Sequence, residues 1–196
     1  MNVQVAGVLY GSTVNGPGRR NVLHLQGCTL GCRGCFNPGT HDAAAGRRQT
    51  LDEVVGALVP KGSEAPAITI SGGEPFQQLP ALVALLRRLR ECGVDSIVVF
   101  SGYAMEELQA MPGSGAALAE IDVLIAGRYV ATEATGLGLC ASANQRAHLL
   151  THRHTLEELQ LGESAAVEIT ILPDGNVVMS GFPSPAIRRA IAALDS

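Results

Sequence analysis

Apolar positions along the chain follow two rhythms. Short, nearly uninterrupted apolar runs at 3–9, 21–26, 67–70, 97–100 and 123–126 predict strands. Between 80 and 93 the spacing becomes helical. Leu82, Leu85, Leu86 and Leu89 share one face, Arg87, Arg88, Arg90 and Glu91 lie on the solvated side, Pro80 suits the first turn and Gly93 the stop. Thr50-x-x-Glu53 is a capping box that opens a helix over 51–59, and Thr155-x-x-Glu158 repeats it before a short helix. Another short helix is expected over 105–111. Runs at 167–172 and 176–179 flank Pro173-Asp174-Gly175, which reads as a hairpin, and Ser184-Pro185 opens a C-terminal helix over 186–194. Residues 127–150 show no period and read as a long loop. The alternation of strand and helix predicts an α/β fold, with a mostly parallel sheet and right-handed crossovers, in one domain spanning 1–196.

Length sharpens this picture. A complete eight-unit β/α barrel needs about 250 residues, and 196 leave room for a partial barrel or a small open sheet. Apolar residues make up 46% and charged residues 16%, an ordinary globular balance. A net charge of −4 provides no basic footprint for nucleic acid. The thirteen arginines against one lysine, Lys61, fit a GC-rich coding bias rather than a function. There is no apolar run long enough to span a membrane, and the N-terminus lacks a leader pattern, so a cytoplasmic, reducing location is expected.

The five cysteines are Cys28, Cys32, Cys35, Cys92 and Cys140. Three of them form C-x3-C-x2-C just after the strand at 21–26, and an odd, clustered set in a reducing compartment points to metal rather than disulfides. Three thiolates can hold three irons of a [4Fe–4S] cube and leave the fourth open, which is what separates a reactive centre from a closed structural one. A Cys3His zinc site with His24 or His41 is the alternative reading of the same spacing. A second motif, Ser71-Gly72-Gly73-Glu74-Pro75, closes the strand at 67–70. Its glycines let backbone approach a ligand at the C-terminal end of a strand, where α/β sheets bind ligands.

Together these motifs resemble the radical S-adenosylmethionine superfamily, and most closely the small activating proteins of anaerobic ribonucleotide reductase. The resemblance rests on Asn15-Gly16-Pro17-Gly18-x-Arg20, Gln26-Gly27-Cys28, Gly34-Cys35-Phe36-Asn37 and the Gly-Gly-Glu-Pro segment. It continues through Ser101-Gly102-Tyr103, Asp122 to Tyr129 and Ser142-x-Asn144-Gln145-Arg146, nearly the whole chain. It implies an incomplete β/α barrel of the radical type. It also implies two cofactors: a [4Fe–4S] cluster on Cys28, Cys32 and Cys35, and S-adenosylmethionine chelated to the open iron. One-electron reduction would cleave the cofactor to methionine and a 5′-deoxyadenosyl radical, the protein supplying position and exclusion of side reactions. By the same resemblance Gly72, Gly73, Glu74 and Pro75 surround the methionine end, Gly34, Cys35 and Phe36 the adenine end, and Ser101 touches the cofactor. The implied partners are a glycyl radical enzyme as protein substrate and a flavodoxin or ferredoxin as electron donor.

Family members commonly carry an arginine where this chain has Cys140, which keeps modification of a peptide or small metabolite open as a rival reaction. A metal-binding adaptor or electron carrier is the non-catalytic reading. The short chain leaves one barrel side open, wide enough for a loop of a macromolecule. Arg128, Asn144 and Arg146 are the expected polar contacts to it from the 127–150 loop. His148, His152 and His154 read as solvated or capping and Cys92 as a buried small hydrophobe, while Arg20 is either solvated or, as the resemblance implies, a partner for a carboxylate.

Overall fold

The computed structural model describes residues 1–60, 62, 66–159, 161, 166–171, 177–184 and 186–187. Nine strands are seen among these residues: β1 (Asn2–Ser12), β2 (Arg20–Leu25), β3 (Arg47–Thr50), β4 (Ala67–Gly72), β5 (Ile97–Ser101), β6 (Val123–Ala126), β7 (Arg146–Leu149), β8 (Val167–Ile171) and β9 (Val177–Gly181). The helices are α1 (Leu51–Leu58), α2 (Leu79–Glu91), α3 (Met105–Ala110) and α4 (Ser114–Leu118).

Seven strands form one open sheet in the order β3-β1-β2-β4-β5-β6-β7, and β8-β9 is a separate hairpin. The four inner strands, β2, β4, β5 and β6, are parallel. Outside them β1 runs antiparallel to both β2 and β3, and β7 antiparallel to β6. The expected mostly parallel sheet is therefore a mixed one, parallel at its centre and antiparallel at both flanks, in an arrangement compatible with a partial barrel. The inner strands end together, so their C-terminal edges make one rim.

Both faces of the inner strands are covered, which explains their continuous apolar runs. Leu23, Ile70, Val99 and Leu124 face the helices and pack with Leu82, Leu85, Leu86 and Leu89 of α2 and with Val54 and Leu58 of α1. Val98, Val123 and Ile125 face the other way, under Leu139, Leu159 and Phe182. The leucine face of α2 is fully buried, as its spacing predicts. Thr50 caps α1 through the reciprocal pair of bonds with Glu53.

Some expectations do not survive. Arg90 is not solvated: it bonds the carbonyls of Val94, Asp95 and Glu120 and the carboxylate of Asp122 at 2.8 Å, so the end of α2 is clamped to the sheet. The Thr155–Glu158 bonds form, but residues 156–159 make a turn rather than a helix. Cys92 is exposed at the C-cap of α2. Arg20 is fully buried but has no carboxylate in contact among the described residues. It donates instead to Thr69, Ser96 and the carbonyls of Pro17 and Ile68. Most of the expected C-terminal helix lies outside the described residues.

Asp122 concentrates much of the clamp, accepting from Arg90, from the Ile97 backbone and from Thr151. Burial pushes its carboxyl up, but these bonds outweigh it and hold the group below its ordinary value. Asp122→Ala takes the carboxylate partner from Arg90 and leaves the Ile97 N–H without its acceptor. It is expected to cost about 3 kcal/mol, read as a lowered urea midpoint at unchanged slope.

Candidate functional site

The loop carrying the cysteines leaves β2 at the C-terminal rim and is closed on itself by local bonds. Gly27 donates to the Thr40 carbonyl and Cys28 to the His41 carbonyl, while the Gln26 side chain donates to the carbonyls of Gly39 and Asp42. Cys35 donates to the Cys32 carbonyl at 3.1 Å, and the Asn37 N–H reaches the Cys35 sulfur at 3.4 Å. Cys28, Cys32 and Cys35 are all half-buried. Their thiols feel one another: burial pushes Cys28 up, and the charges of Glu74, Cys32 and Cys35 push it in the same direction.

The second motif meets this loop directly. Gly72 closes the β2–β4 ladder opposite Leu25. The Gly73 N–H donates to the Leu25 carbonyl and the Glu74 N–H to the Gly27 carbonyl, at 2.7 and 2.9 Å. A Cβ on Gly73 would collide with the backbone of Gly27, one residue before Cys28. The missing side chain thus lets the cysteine loop seat on the end of β4.

Glu74 is buried, and its carboxylate is fully occupied by the protein. Oε1 accepts from the Phe76 N–H at 3.0 Å and the Ser101 hydroxyl at 2.9 Å, and Oε2 from the Gly102 N–H at 2.7 Å. Ser101 is itself buried, with its hydroxyl aimed at Glu74. Pro75 starts a 3-10 turn whose next residues do further work. Gln77 accepts from the Thr29 N–H and donates to the Thr29 hydroxyl and to Tyr103, and Gln78 donates to the Gln26 carbonyl. Leu30 lies over Gly102 where any Cβ would strike it. Cysteine loop, β4 end and β5 end are one bonded unit.

The other side of the loop is aromatic. Phe36 packs edge-on to Tyr129, with ring centroids 4.8 Å apart, and to Phe182 at 6.0 Å, and Gly34 lies against Tyr129 and Ala131. Arg128 stacks over the Tyr103 ring, pairs with Glu107 at 2.9 Å, and acts electrostatically on both Glu74 and Cys32. The structure therefore brings Cys28, Cys32, Cys35, Gly34, Phe36, Gly72, Gly73, Glu74, Pro75 and Ser101 to one rim.

The expected loop contacts separate. Arg128 faces this rim, but Asn144 donates to the Arg128 carbonyl and Arg146 to the carbonyls of Ala143 and Gln145, so both brace the backbone. Arg146 also opens β7, which lay unseen in the 127–150 stretch. Sequence reasoning missed Gln77 and Gln78. Their one signal was two long neutral polar side chains directly after a strand-end motif. Cys140 is half-buried against Phe100 and Phe182, with its thiol pushed up by burial, as an inert structural cysteine would be.

Among the described residues no three His, Cys, Asp or Glu side chains converge on a single-ion position. A zinc ion would need its thiolates about 3.8 Å apart, given a Zn–S bond near 2.3 Å. A cube several ångströms wide takes thiolates set further apart, and the three half-buried cysteines of one rim loop, with the Arg128 guanidinium acting on Cys32, are a donor set that suits it. His24 is held on β2 with its pKa lowered by burial.

The chain matches the 4Fe-4S single cluster domain family over residues 14–148. It is 34% identical over 145 residues to the anaerobic ribonucleoside-triphosphate reductase-activating protein of Vibrio cholerae serotype O1, an alignment covering 70% of this chain and 92% of that protein. The protein of the same name from Escherichia coli K12 is 35% identical over 123 residues, 60% of this chain and 79% of the relative. A pyruvate formate-lyase-activating enzyme of Staphylococcus aureus USA300 is 37% identical over 103 residues, half of this chain and 41% of that enzyme. The chain therefore belongs to the 4Fe-4S single-cluster family and, within the radical S-adenosylmethionine superfamily, to the activating proteins these relatives represent. It is an enzyme whose cofactors are a [4Fe–4S] cluster and S-adenosylmethionine.

Two expectations follow from the geometry. Gly73→Ala should displace the cysteine loop, so the reconstituted variant is expected to lose bound iron together with cofactor cleavage. Full iron content with cleavage lost would instead assign the glycine to the ligand. Second, burial, the largest influence on Glu74, raises its pKa from 4.5 to about 6. The unfolded chain releases this proton near 4.5 and the folded one near 6. The stability contribution is thus fully present below about 4.5 and lost as pH rises through 6, a change of about 2 kcal/mol. Urea unfolding of the cluster-free protein across this range should show that loss, and Glu74→Gln should flatten it.

Proposed function

We propose that this chain activates a glycyl radical enzyme, an anaerobic ribonucleotide reductase above all, by abstracting a hydrogen atom from a glycine of that protein. The reading is carried by one observation: the cysteine loop is bonded to the ends of β4 and β5 through Gly73, Glu74 and Gln77, so thiols and strand-end motif form a single site. The names of the relatives support the substrate.

In this reading Cys28, Cys32 and Cys35 hold the cluster. Bound and reduced, it supplies the electron that cleaves S-adenosylmethionine to methionine and the hydrogen-abstracting 5′-deoxyadenosyl radical. Gly72, Gly73 and the Pro75 turn form the wall at the methionine end, and Phe36 and Gly34 flank the adenine. Glu74 and Ser101 act by fixing the backbone that makes these walls. Arg128 is the cation on the rim and balances a carboxylate or the cluster's negative charge. The open seven-stranded sheet is read as the partial barrel of the superfamily, its unclosed side admitting a protein loop. A flavodoxin or ferredoxin in the cytoplasm delivers the electron to the half-buried cysteine loop.

Anaerobic reconstitution tests this. Wild-type protein is expected to take up about four irons and four sulfides, as cube ligation requires. Alanine at Cys28, Cys32 or Cys35 should abolish 5′-deoxyadenosine formation, while Cys92→Ala leaves it unchanged. Incubation with reductant, S-adenosylmethionine and an anaerobic ribonucleotide reductase should produce a glycyl radical signal in the reductase. Cofactor cleavage without that signal would keep the radical chemistry and overturn the substrate.

A further inference from the structure

At the opposite edge of the sheet, by the N-terminal ends of β2 and β5, lies a cavity of about 530 Å³, within the range of small-molecule sites. The six residues of β2 put roughly 17–20 Å between this edge and the cysteine rim, so hydrogen abstraction at the cluster does not reach it.

Three side chains lining the cavity form a chain. The Ser96 hydroxyl meets His154 Nε2 at 2.8 Å, and His154 Nδ1 meets Glu158 Oε2 at 3.0 Å. The Thr155 N–H also donates to that carboxylate, fixing its position. An ionised carboxylate can only accept, so the bond pattern assigns the proton to Nδ1 and the lone pair to Nε2, facing the serine. On its other side Ser96 Oγ accepts from Arg20 Nη2 at 3.3 Å. Arg20 is wholly buried with no carboxylate in contact among the described residues, so a fixed positive charge stands beside the serine oxygen. Nucleophile, base, orienting acid and adjacent cation are the parts of an activated serine. Val14, Leu139 and Leu159 give the cavity an apolar side that suits a short aliphatic group, and Thr13 and Arg153 add polar groups to the rest of the wall.

We propose that Ser96 is a nucleophile activated by His154 and Glu158, and that this cavity cleaves esters of short aliphatic carboxylic acids through an acyl-serine. Ser96 Oγ adds to the ester carbonyl carbon while its proton passes to His154 Nε2. The ester C–O bond then breaks and the alcohol leaves with that proton. A water molecule adds to the acyl carbonyl, giving a proton to His154. The acyl–serine bond breaks, the acid departs, and the proton returns to Ser96. One water is consumed and nothing is oxidised or reduced.

The test uses the full chain, as purified and after cluster reconstitution, with p-nitrophenyl butyrate and a fluorophosphonate probe. Both preparations should hydrolyse the ester at the same rate, which separates this activity from the radical reaction. The probe should add once, on the peptide carrying Ser96. Ser96→Ala and His154→Gln are expected to lose about 100-fold in hydrolysis, and Ser96→Cys to accumulate a butyryl thioester visible by mass. A network that only pins the 151–159 loop gives no adduct. Absence of the probe adduct from Ser96 together with no thioester on Ser96→Cys, or wild-type hydrolysis by Ser96→Ala, overturns the proposal.

Discussion

The buried carboxylate of Glu74 takes three hydrogen bonds from the ends of β4 and β5 while its own N–H reaches the backbone that leads into Cys28. Few groups could replace it. A buried carboxylate costs a great deal unless its oxygens are satisfied, and here two backbone N–H groups and a hydroxyl do that. The surrounding features follow from this clamp. Gly73 must lack a side chain because the clamp draws β4 against Gly27. Leu30 can cover Gly102 because the Gly102 N–H is turned toward the carboxylate. Gln77, one turn onward, repeats the connection from Thr29 to Tyr103 at the surface.

The same geometry sets the charge of the rim. Burial and the charges of Glu74, Cys32 and Cys35 push the Cys28 thiol up, while Arg128, already paired with Glu107, is the cation that acts on Cys32 and Glu74. Cys28, Cys32 and Cys35 would bind iron as thiolates, so uptake of the cluster would release protons. The clamp fixes the base of the loop that carries them.

What could be read from the sequence was what is local. The leucine face of α2, the capping box at Thr50 and the C-x3-C-x2-C spacing each lie within a few residues, and periodicity or spacing exposes them. The inner strands showed as apolar runs because both of their faces are buried. The outermost strands of the seven-stranded sheet leave no such mark. β3 is Arg-Arg-Gln-Thr, mostly exposed and held by its pairing with β1, and β7 lies in a stretch without a run of apolar residues. The pairing of Glu74 with Ser101 and Gly102, 27 and 28 residues apart, was equally hidden. The motif letters announced a site, but that the glutamate serves the scaffold required the fold. Arg90 and Arg20 teach the same lesson, since each neutralises carbonyls and hydroxyls brought together by packing.

The segment from Gly127 to Gln145 is built for bracing more than for recognition. Sequence alone suggests a free loop, yet Ser142 is buried and Asn144 and Gln145 hold the carbonyls of Arg128 and Gly127. Thr135 and Ala143 bond back across it. Its ordered backbone projects Arg128 and Tyr129 at the cysteine loop. Among the described residues this segment therefore braces the rim, and in the proposed reaction the rim would hold the radical source in place for a segment brought in by the partner protein. Selectivity for the proposed partner would therefore rest on the surfaces flanking the open side of the sheet, and the rim would contribute position.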